Sequence, residues 1–120
     1  MTTVNILGTS YEIKEVKISE SDYMKSNELS GYCDLYQKEI FYADTSEREY
    51  FDDLNPEAQK RVRNEIIRHE VIHAFLGECG LKQNALPSNG AWSMNEEMVD
   101  YFACMWPKIQ RAFEEVGCVG

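Results

Sequence analysis

Residues 55–80 place the strongest constraint on how this 120-residue chain can fold. Asn55-Pro56-Glu57 combines a favoured N-cap residue, a proline at the first helical position and an acid in the first turn. Beyond it, one stripe of side chains recurs at steps of four and three residues: Val62, Ile66, His69, His73 and Leu76. The spacing predicts a long amphipathic helix that ends near Gly77 or Gly80, where glycine can terminate it.

This predicted helix carries both histidines of the chain, in the pattern His69-Glu70-Val71-Ile72-His73. At 100° per residue, His73 lies about 40° around the helix axis from His69, and Glu70 lies about 100° from it. Both imidazoles can therefore reach one zinc ion, and Glu70 is placed to hold a water on that ion. The alternative is a helix with two partly buried histidines and an exposed Glu70. The apolar stripe disfavours it, because unpaired buried imidazoles are costly.

Residues 95–103 supply the best candidates for the third protein ligand that a catalytic zinc site requires. If this segment is helical, Glu96 and Asp100 lie on one face, four residues apart. Glu96 would bind the metal, and Asp100 would accept a hydrogen bond from the second nitrogen of a ligand histidine. Two alternatives remain. Ser93-x-x-Glu96 fits a capping box, with Glu96 folded back on the helix start, and Glu97 competes as the ligand.

The first third of the chain favours β-strands, so the predicted fold class is α+β. Residues 4–7 and 11–18 form one predicted hairpin, and residues 31–36 and 39–43 form a second. An imperfect alternation in the second arm of the first hairpin suggests a bulge or a break near Glu15. We expect one domain over residues 1–120, in which a small, mainly antiparallel sheet packs on the motif helix and a third-ligand helix.

The sequence also gives expectations for the segments between and after these elements. Residues 19–30 fit a short helix or a loop equally well, and residues 44–53 form an acidic surface connection. A loop is expected over residues 81–92. The next helix begins near Ser93 or Asn95 and runs to Trp106. There Pro107 either kinks it or starts a separate helix that ends near Gly117.

The composition excludes several classes of function. Twelve Lys and Arg against 21 Asp and Glu give a net charge of −9, which disfavours nonspecific nucleic-acid binding. No run approaches the ~20 apolar residues of a membrane span, and the first residues lack the features of a secretory signal. We therefore expect a cytoplasmic protein with reduced, mostly buried thiols at Cys33, Cys79, Cys104 and Cys118.

The two motifs together resemble a known family of zinc enzymes. His69-Glu70-x-x-His73 followed by Asn95-Glu96-x-x-x-Asp100-x-Phe102-Ala103 is similar to the gluzincin arrangement of thermolysin-like zinc peptidases. It resembles more closely the compact ImmA/IrrE-like metallopeptidases of bacteria and their mobile elements. In that branch the downstream helix carries a Glu, a small residue three on, an Asn or Asp four on, and Phe-Ala. The match covers about residues 31–106.

The resemblance implies a minimal zincin-like fold and a role for each motif residue. His69, His73 and Glu96 would be zinc ligands, Glu70 the general base, and Asp100 the partner of a ligand histidine. The hairpin ending at residues 39–43 would correspond to the sheet edge along which such peptidases hold extended substrate. Larger relatives use a further His or Tyr to stabilise the oxyanion. This chain has no third His, and the alternatives here are Tyr32, Tyr36, Tyr42 and Trp92.

The sequence thus predicts a zinc metallopeptidase that hydrolyses peptide bonds in a protein or peptide substrate. A small intracellular enzyme without insertions has no segments that shield its cleft, and an unselective protease of this kind would endanger its host. We therefore expect a narrow set of intracellular substrates. The competing hypothesis is a non-catalytic interaction protein that keeps a structural zinc site, or that mimics nucleic acid with its acidic surface. The net charge favours this alternative, whereas Glu70 disfavours it, since a structural zinc site does not require that residue.

Overall fold

A computed structural model of the protein describes residues 2–81, 95–115 and 119. In chain order it contains β1 (Thr2–Ile6), β2 (Thr9–Val16), a 3-10 turn (Ile18–Glu20), α1 (Asp22–Ser26), β3 (Gly31–Asp34), β4 (Glu39–Ala43), α2 (Arg48–Phe51), α3 (Pro56–Glu78) and α4 (Glu96–Glu115). The predicted α+β class is confirmed. In these described ranges, no helix is long and apolar enough to cross a membrane.

The four strands form one mixed sheet in the order β1-β2-β4-β3. The pairings β1–β2 and β3–β4 are antiparallel, as the two predicted hairpins require. The central pairing of β2 with β4 is parallel, so the expectation of a mainly antiparallel sheet holds only within each hairpin. The parallel pairing joins Ile13 to Ile40 between the two hairpins, and local sequence patterns do not specify such a long-range contact.

The first hairpin closes through a two-residue turn at Leu7-Gly8. Both residues have positive φ, 51° and 91°, as a turn that matches the twist of the strands demands. The predicted bulge or break near Glu15 is wrong. Residues 12–16 pair one by one with residues 39–43, and the strand simply ends at Val16. The uneven alternation arises because Ile18 already belongs to the 3-10 turn, where its side chain is buried.

The long predicted helix is confirmed as α3. The Asn55 side chain accepts a hydrogen bond from the Ala58 N–H at 2.9 Å, and Gly80 follows the end of the helix with a φ of 81°. One face of α3 packs on the sheet, where Ala74 joins a buried cluster with Ile6, Tyr11 and Ile40. This packing holds the middle of α3 against the sheet.

Helix α4 is one continuous helix with Pro107 inside it, so the option of a separate helix that starts at Pro107 is wrong, and the option of a kink stays a prediction. Proline has no N–H, and the carbonyl of Ala103 therefore loses its usual partner four residues on. Arg68 of α3 donates from Nε to that carbonyl at 2.7 Å. With Val99 and Ala103 both buried, this bond fixes α4 against α3.

The start of α4 resolves one of the sequence alternatives. The Asn95 side chain accepts a hydrogen bond from the Met98 N–H at 2.8 Å, which makes Asn95 the cap and Glu96 the first helical residue. Glu96 is therefore not at the third helical position that a capping box with Ser93 requires. The predicted loop at residues 81–92, apart from Leu81, lies outside the described residues, as do Ser93 and the predicted end at Gly117.

Of the remaining expectations, some are confirmed and others are wrong. The short-helix option for residues 19–30 is confirmed by the 3-10 turn and α1, and the acidic connection at residues 44–53 contains the four-residue helix α2. Cys33, Cys79 and Cys104 are free thiols, but only Cys33 is partly buried. The expectation of burial is wrong for Cys79, which is exposed just after the end of α3, and for Cys104, which is exposed on α4. Cys118 lies outside the described residues.

Candidate metal centre

Helix α3 presents the two histidines side by side, one turn apart. Their ring centroids are 4.9 Å apart, and the side chains of His69 and His73 are only 17% and 12% exposed. A helical spacing of four residues places both rings on the same face. Both rings lie at the junction with α4.

Helix α4 brings a carboxylate to both rings. Glu96 Oε2 lies 3.0 Å from His69 Nε2, and Glu96 Oε1 lies 2.9 Å from His73 Nε2. One ligand atom from each of the three residues falls within 4.8 Å of the other two. Glu97, the competing ligand in the sequence, is exposed and does not belong to this cluster.

Asp100 lies one turn further along α4 and contacts the other side of the His69 ring. Its Oδ1 atom is 2.7 Å from His69 Nδ1, where the sequence predicted a partner for a ligand histidine. A bond at Nδ1 fixes the ring orientation and leaves Nε2 to face Glu96 and His73. The structure thus brings together His69, His73, Glu96 and Asp100.

The donor set fits a divalent metal ion. Both nitrogens of His69 face carboxylate oxygens, but a neutral imidazole has only one N–H to donate. A cation between Nε2 and Glu96 would satisfy both groups, together with His73. Tetrahedral zinc with bonds of about 2.0–2.1 Å separates its ligand atoms by roughly 3.3–3.4 Å. The observed 2.9 and 3.0 Å join the two rings to different oxygens of Glu96, and one ligand atom from each residue lies within 4.8 Å of the others, so side-chain rotations must bring the three atoms to these separations. Two imidazoles and a carboxylate also suit other divalent metals.

Glu70 lies beneath the histidines in a buried position. It is 6% exposed, which contradicts the alternative that made it a solvent-exposed glutamate. Burial raises its pKa to about 7, with smaller contributions from Glu96 and Asp100, against the lowering effect of His69. Within the described residues its carboxylate receives no hydrogen bond and borders a cleft of about 690 Å³.

Gly31, at the start of β3, is a site residue that the sequence reasoning missed. A Cβ atom built on it would lie 2.8 Å from the carbonyl oxygen of Phe41, 2.9 Å from Ile66 Cγ2 and 3.2 Å from Glu70 Oε2. Only glycine lets the strand pass this close to the helix. The available signal was Gly31 itself, a glycine at the first position of a predicted strand.

The sheet edge beside the cluster is β3, and β4 lies inside the sheet. The predicted hairpin therefore does supply a sheet edge, through β3 rather than through residues 39–43, and the binding of a substrate there stays a prediction. Ala43 N–H donates to the Ser30 carbonyl at 2.9 Å. The antiparallel alternation then turns the N–H and C=O groups of Gly31 and Cys33 away from β4, toward the cleft they border. No described strand pairs with this edge.

The four aromatic candidates for stabilising an oxyanion differ in whether they border the cleft. Tyr32 borders the cleft, whereas Tyr36 borders a neighbouring depression and Tyr42 borders neither. Trp92 lies outside the described residues. Tyr23, which the sequence reasoning did not consider, also borders the cleft, and its ring contacts that of Tyr32 with centroids 4.8 Å apart.

Comparisons with protein-family models, with curated proteins and with solved structures find no match for this chain.

Proposed function

We propose that this chain is a minimal zincin-like peptidase that uses zinc to hydrolyse peptide bonds in a narrow set of intracellular proteins. One observation carries the proposal. Two imidazoles and the Glu96 carboxylate converge beside the buried, unpartnered carboxylate of Glu70, at the unpaired edge of a strand. A site for structural zinc needs the ligands but neither of the other two features.

The ligands would be His69, His73 and Glu96, with Asp100 holding the His69 ring in orientation. Zinc bound there would polarise the scissile carbonyl and lower the pKa of a bound water toward about 7. Glu70 takes a proton from the attacking water and passes it to the leaving amine. Burial of Glu70 beside Gly31 keeps its carboxylate aimed at the cleft rather than at bulk solvent.

The strand β3 supports the binding of an extended substrate. Its outward N–H and C=O groups at Gly31 and Cys33 can pair with a peptide backbone, as an added strand does. Gly31 is also the point where the strand meets Glu70. A peptide aligned on β3 would therefore pass directly over the general base.

The test compares wild type with Glu70→Gln. The amide keeps the shape of the side chain but cannot accept the proton, so proteolysis should fall by about 10²–10⁴-fold while bound zinc and fold are retained. Both proteins are loaded with zinc and incubated with cell extract, and new peptide termini are counted by mass spectrometry. Glu97→Gln is the matched control, since it removes an exposed carboxylate next to the cluster.

Termini that appear with wild type and Glu97→Gln, disappear with Glu70→Gln and are blocked by a chelator would support a peptidase. Equal termini in wild type and Glu70→Gln would contradict the role of Glu70. If no wild-type-specific termini appear and one partner is retained by all three proteins, the acidic interaction protein is the better description.

A further inference from the structure

The cleft continues beyond the metal cluster into an acidic arm formed by Tyr23, Glu28, Leu29, Glu65 and Ile66. Its position follows from how β3 lies on α3. Gly31 meets Ile66 and Glu70, and Leu35 meets Gly77, so the strand and the helix run in the same direction. Residues that precede Gly31 therefore lie toward the N-terminal end of α3.

The acidic arm carries negative charge that the metal cluster does not use. Glu96 and Asp100 pair with the two histidines, whereas Glu28 and Glu65 are not members of the cluster that could hold a metal ion. Both carboxylates are exposed, and within residues 2–81 and 95–115 the donor to Glu65 is the weak S–H group of Cys104, at 2.9 Å. Among the described residues that border the cleft, no Lys or Arg balances them.

The same arm offers apolar surface beside these carboxylates. Leu29 and Ile66 are partly buried, and the ring of Tyr23 is 55% exposed. Lysine and arginine lay their methylene stems along such surface while the charged head reaches a carboxylate. An exposed tyrosine ring adds a favourable contact for a cation above its face.

A feature outside the acidic arm points to a group that enters the cleft from outside. Glu70 is 94% buried, borders the cleft and has no hydrogen-bond partner among the described residues. Buried carboxylates without a partner are costly unless a ligand or water supplies one. Beside it, the unpaired edge of β3 presents the N–H and C=O groups of Gly31 and Cys33 to the same cleft.

We propose that the acidic arm binds the side chain of a lysine or arginine in an extended substrate peptide. This inference rests on the proposed peptidase function, because the peptide backbone is placed along β3. Leu29 precedes Gly31, the first residue of β3, by two positions, so the two residues are at most about 7 Å apart along the chain. The basic residue therefore lies within about two residues of the bond held beside Glu70. The net charge of −9 adds long-range attraction for such peptides.

The test measures binding separately from cleavage. Zinc-loaded Glu70→Gln, in which turnover is blocked, is titrated with labelled extended peptides that carry Arg, Lys, Gln or Glu at each position in turn. At one position of the peptide, the Arg and Lys peptides should bind about tenfold tighter than the Gln peptide, as two favourable ion pairs allow. The Glu peptide should bind more weakly than the Gln peptide. Adding Glu28→Gln and Glu65→Gln should remove this preference and leave the affinity for the Gln peptide unchanged.

The matched control replaces Glu49 and Glu115, two exposed carboxylates outside the cleft, by Gln. This variant loses the same charge and should keep the preference. Equal binding of all four peptides, or an equal loss of preference in the control, would overturn the inference. Wild type is assayed on the same peptides. Failure to cleave any of them would contradict the proposed function, whereas cleavage without a basic preference would contradict only the acidic arm.

Discussion

His69 shows how one side chain can organise the whole candidate centre. Its Nδ1 atom meets Asp100 and its Nε2 atom meets Glu96, so α4 contacts the ring from both sides. The helical repeat fixes that Glu96 and Asp100 share a face, and it fixes that His69 and His73 do so as well. These relations within each helix are local, so periodicity could predict them, whereas the expectation that the two faces meet came from the requirement for a third ligand and from the family resemblance.

The assignment of Glu96 rather than Glu97 gives a prediction at this scale. Glu96→Gln should weaken zinc binding far more than Glu97→Gln, because only Glu96 lies within 3.0 Å of both ring nitrogens. Asp100→Ala should cost about 10–100-fold in affinity through loss of the hydrogen bond to His69. Competition with a chromogenic chelator measures all three affinities. Equal, small losses of zinc affinity in all three variants would show that neither Glu96 nor Asp100 belongs to the site. A larger loss in Glu97→Gln would make Glu97 the ligand in place of Glu96.

Gly31 marks the limit of sequence reasoning for single residues. Its importance comes from a contact with Glu70 that joins positions 39 residues apart in the chain. Hydrophobic periodicity and turn chemistry act over a few residues and cannot reveal which strand approaches which helix. Tyr23 and the acidic arm escaped prediction for the same reason.

Between elements, Glu78 fastens the C-terminal end of α3 to the sheet. Its carboxylate accepts hydrogen bonds from Lys38 Nζ at 2.8 Å, Tyr11 Oη at 2.6 Å and Thr9 Oγ1 at 3.0 Å. The Lys38 and Tyr11 bonds lower the pKa of Glu78 to about 2, against a small opposing effect of desolvation. These three donors come from the first hairpin and from the turn between β3 and β4.

This contact gives stability a pH dependence of known sign. A carboxyl group whose pKa is lower in the folded state stabilises the fold above its unfolded pKa of about 4.5. The contribution is lost as pH falls from about 4.5 toward 2, where Glu78 becomes protonated. Glu78→Gln should therefore have a lower urea midpoint than wild type at pH 7, and the difference should narrow as the pH falls through that window. Glu115→Gln, on the exposed end of α4, is the control. A difference independent of pH would show that shape, not charge, matters.

Elements with strong local signals were predicted well. Asn55-Pro56 and the terminal glycines defined α3 within one or two residues, and both hairpins formed where the strand patterns placed them. The option of a separate helix at Pro107 was wrong, and the β2–β4 pairing was not predicted. Both outcomes depend on residues that are distant in sequence. Arg68 satisfies the carbonyl that Pro107 frees. The parallel pairing depends on how the two hairpins meet.

On the scale of the whole molecule, the candidate centre joins two helices that also meet through the hydrogen bond from Arg68 to the Ala103 carbonyl. His69 and His73 belong to α3, and Glu96 belongs to α4, so one ion would cross-link elements from separate parts of the chain. The unfolded chain does not bring these ligands together. Metal binding therefore favours the folded state, and stability becomes a measure of site occupancy.

This linkage gives the last prediction. With free zinc at 100 times its dissociation constant, the folded state gains about 2.7 kcal/mol. For a domain of this size, that corresponds to a rise in melting temperature on the order of 10 °C over the chelator-treated protein. Differential scanning calorimetry of wild type, with and without zinc, should show the rise. His69→Ala and His73→Ala should each lose it and should bind no zinc, whereas Glu70→Gln should keep it because that carboxylate is not a ligand. A rise that persists in the double variant His69→Ala/His73→Ala would place the metal elsewhere on the chain and contradict the proposed centre.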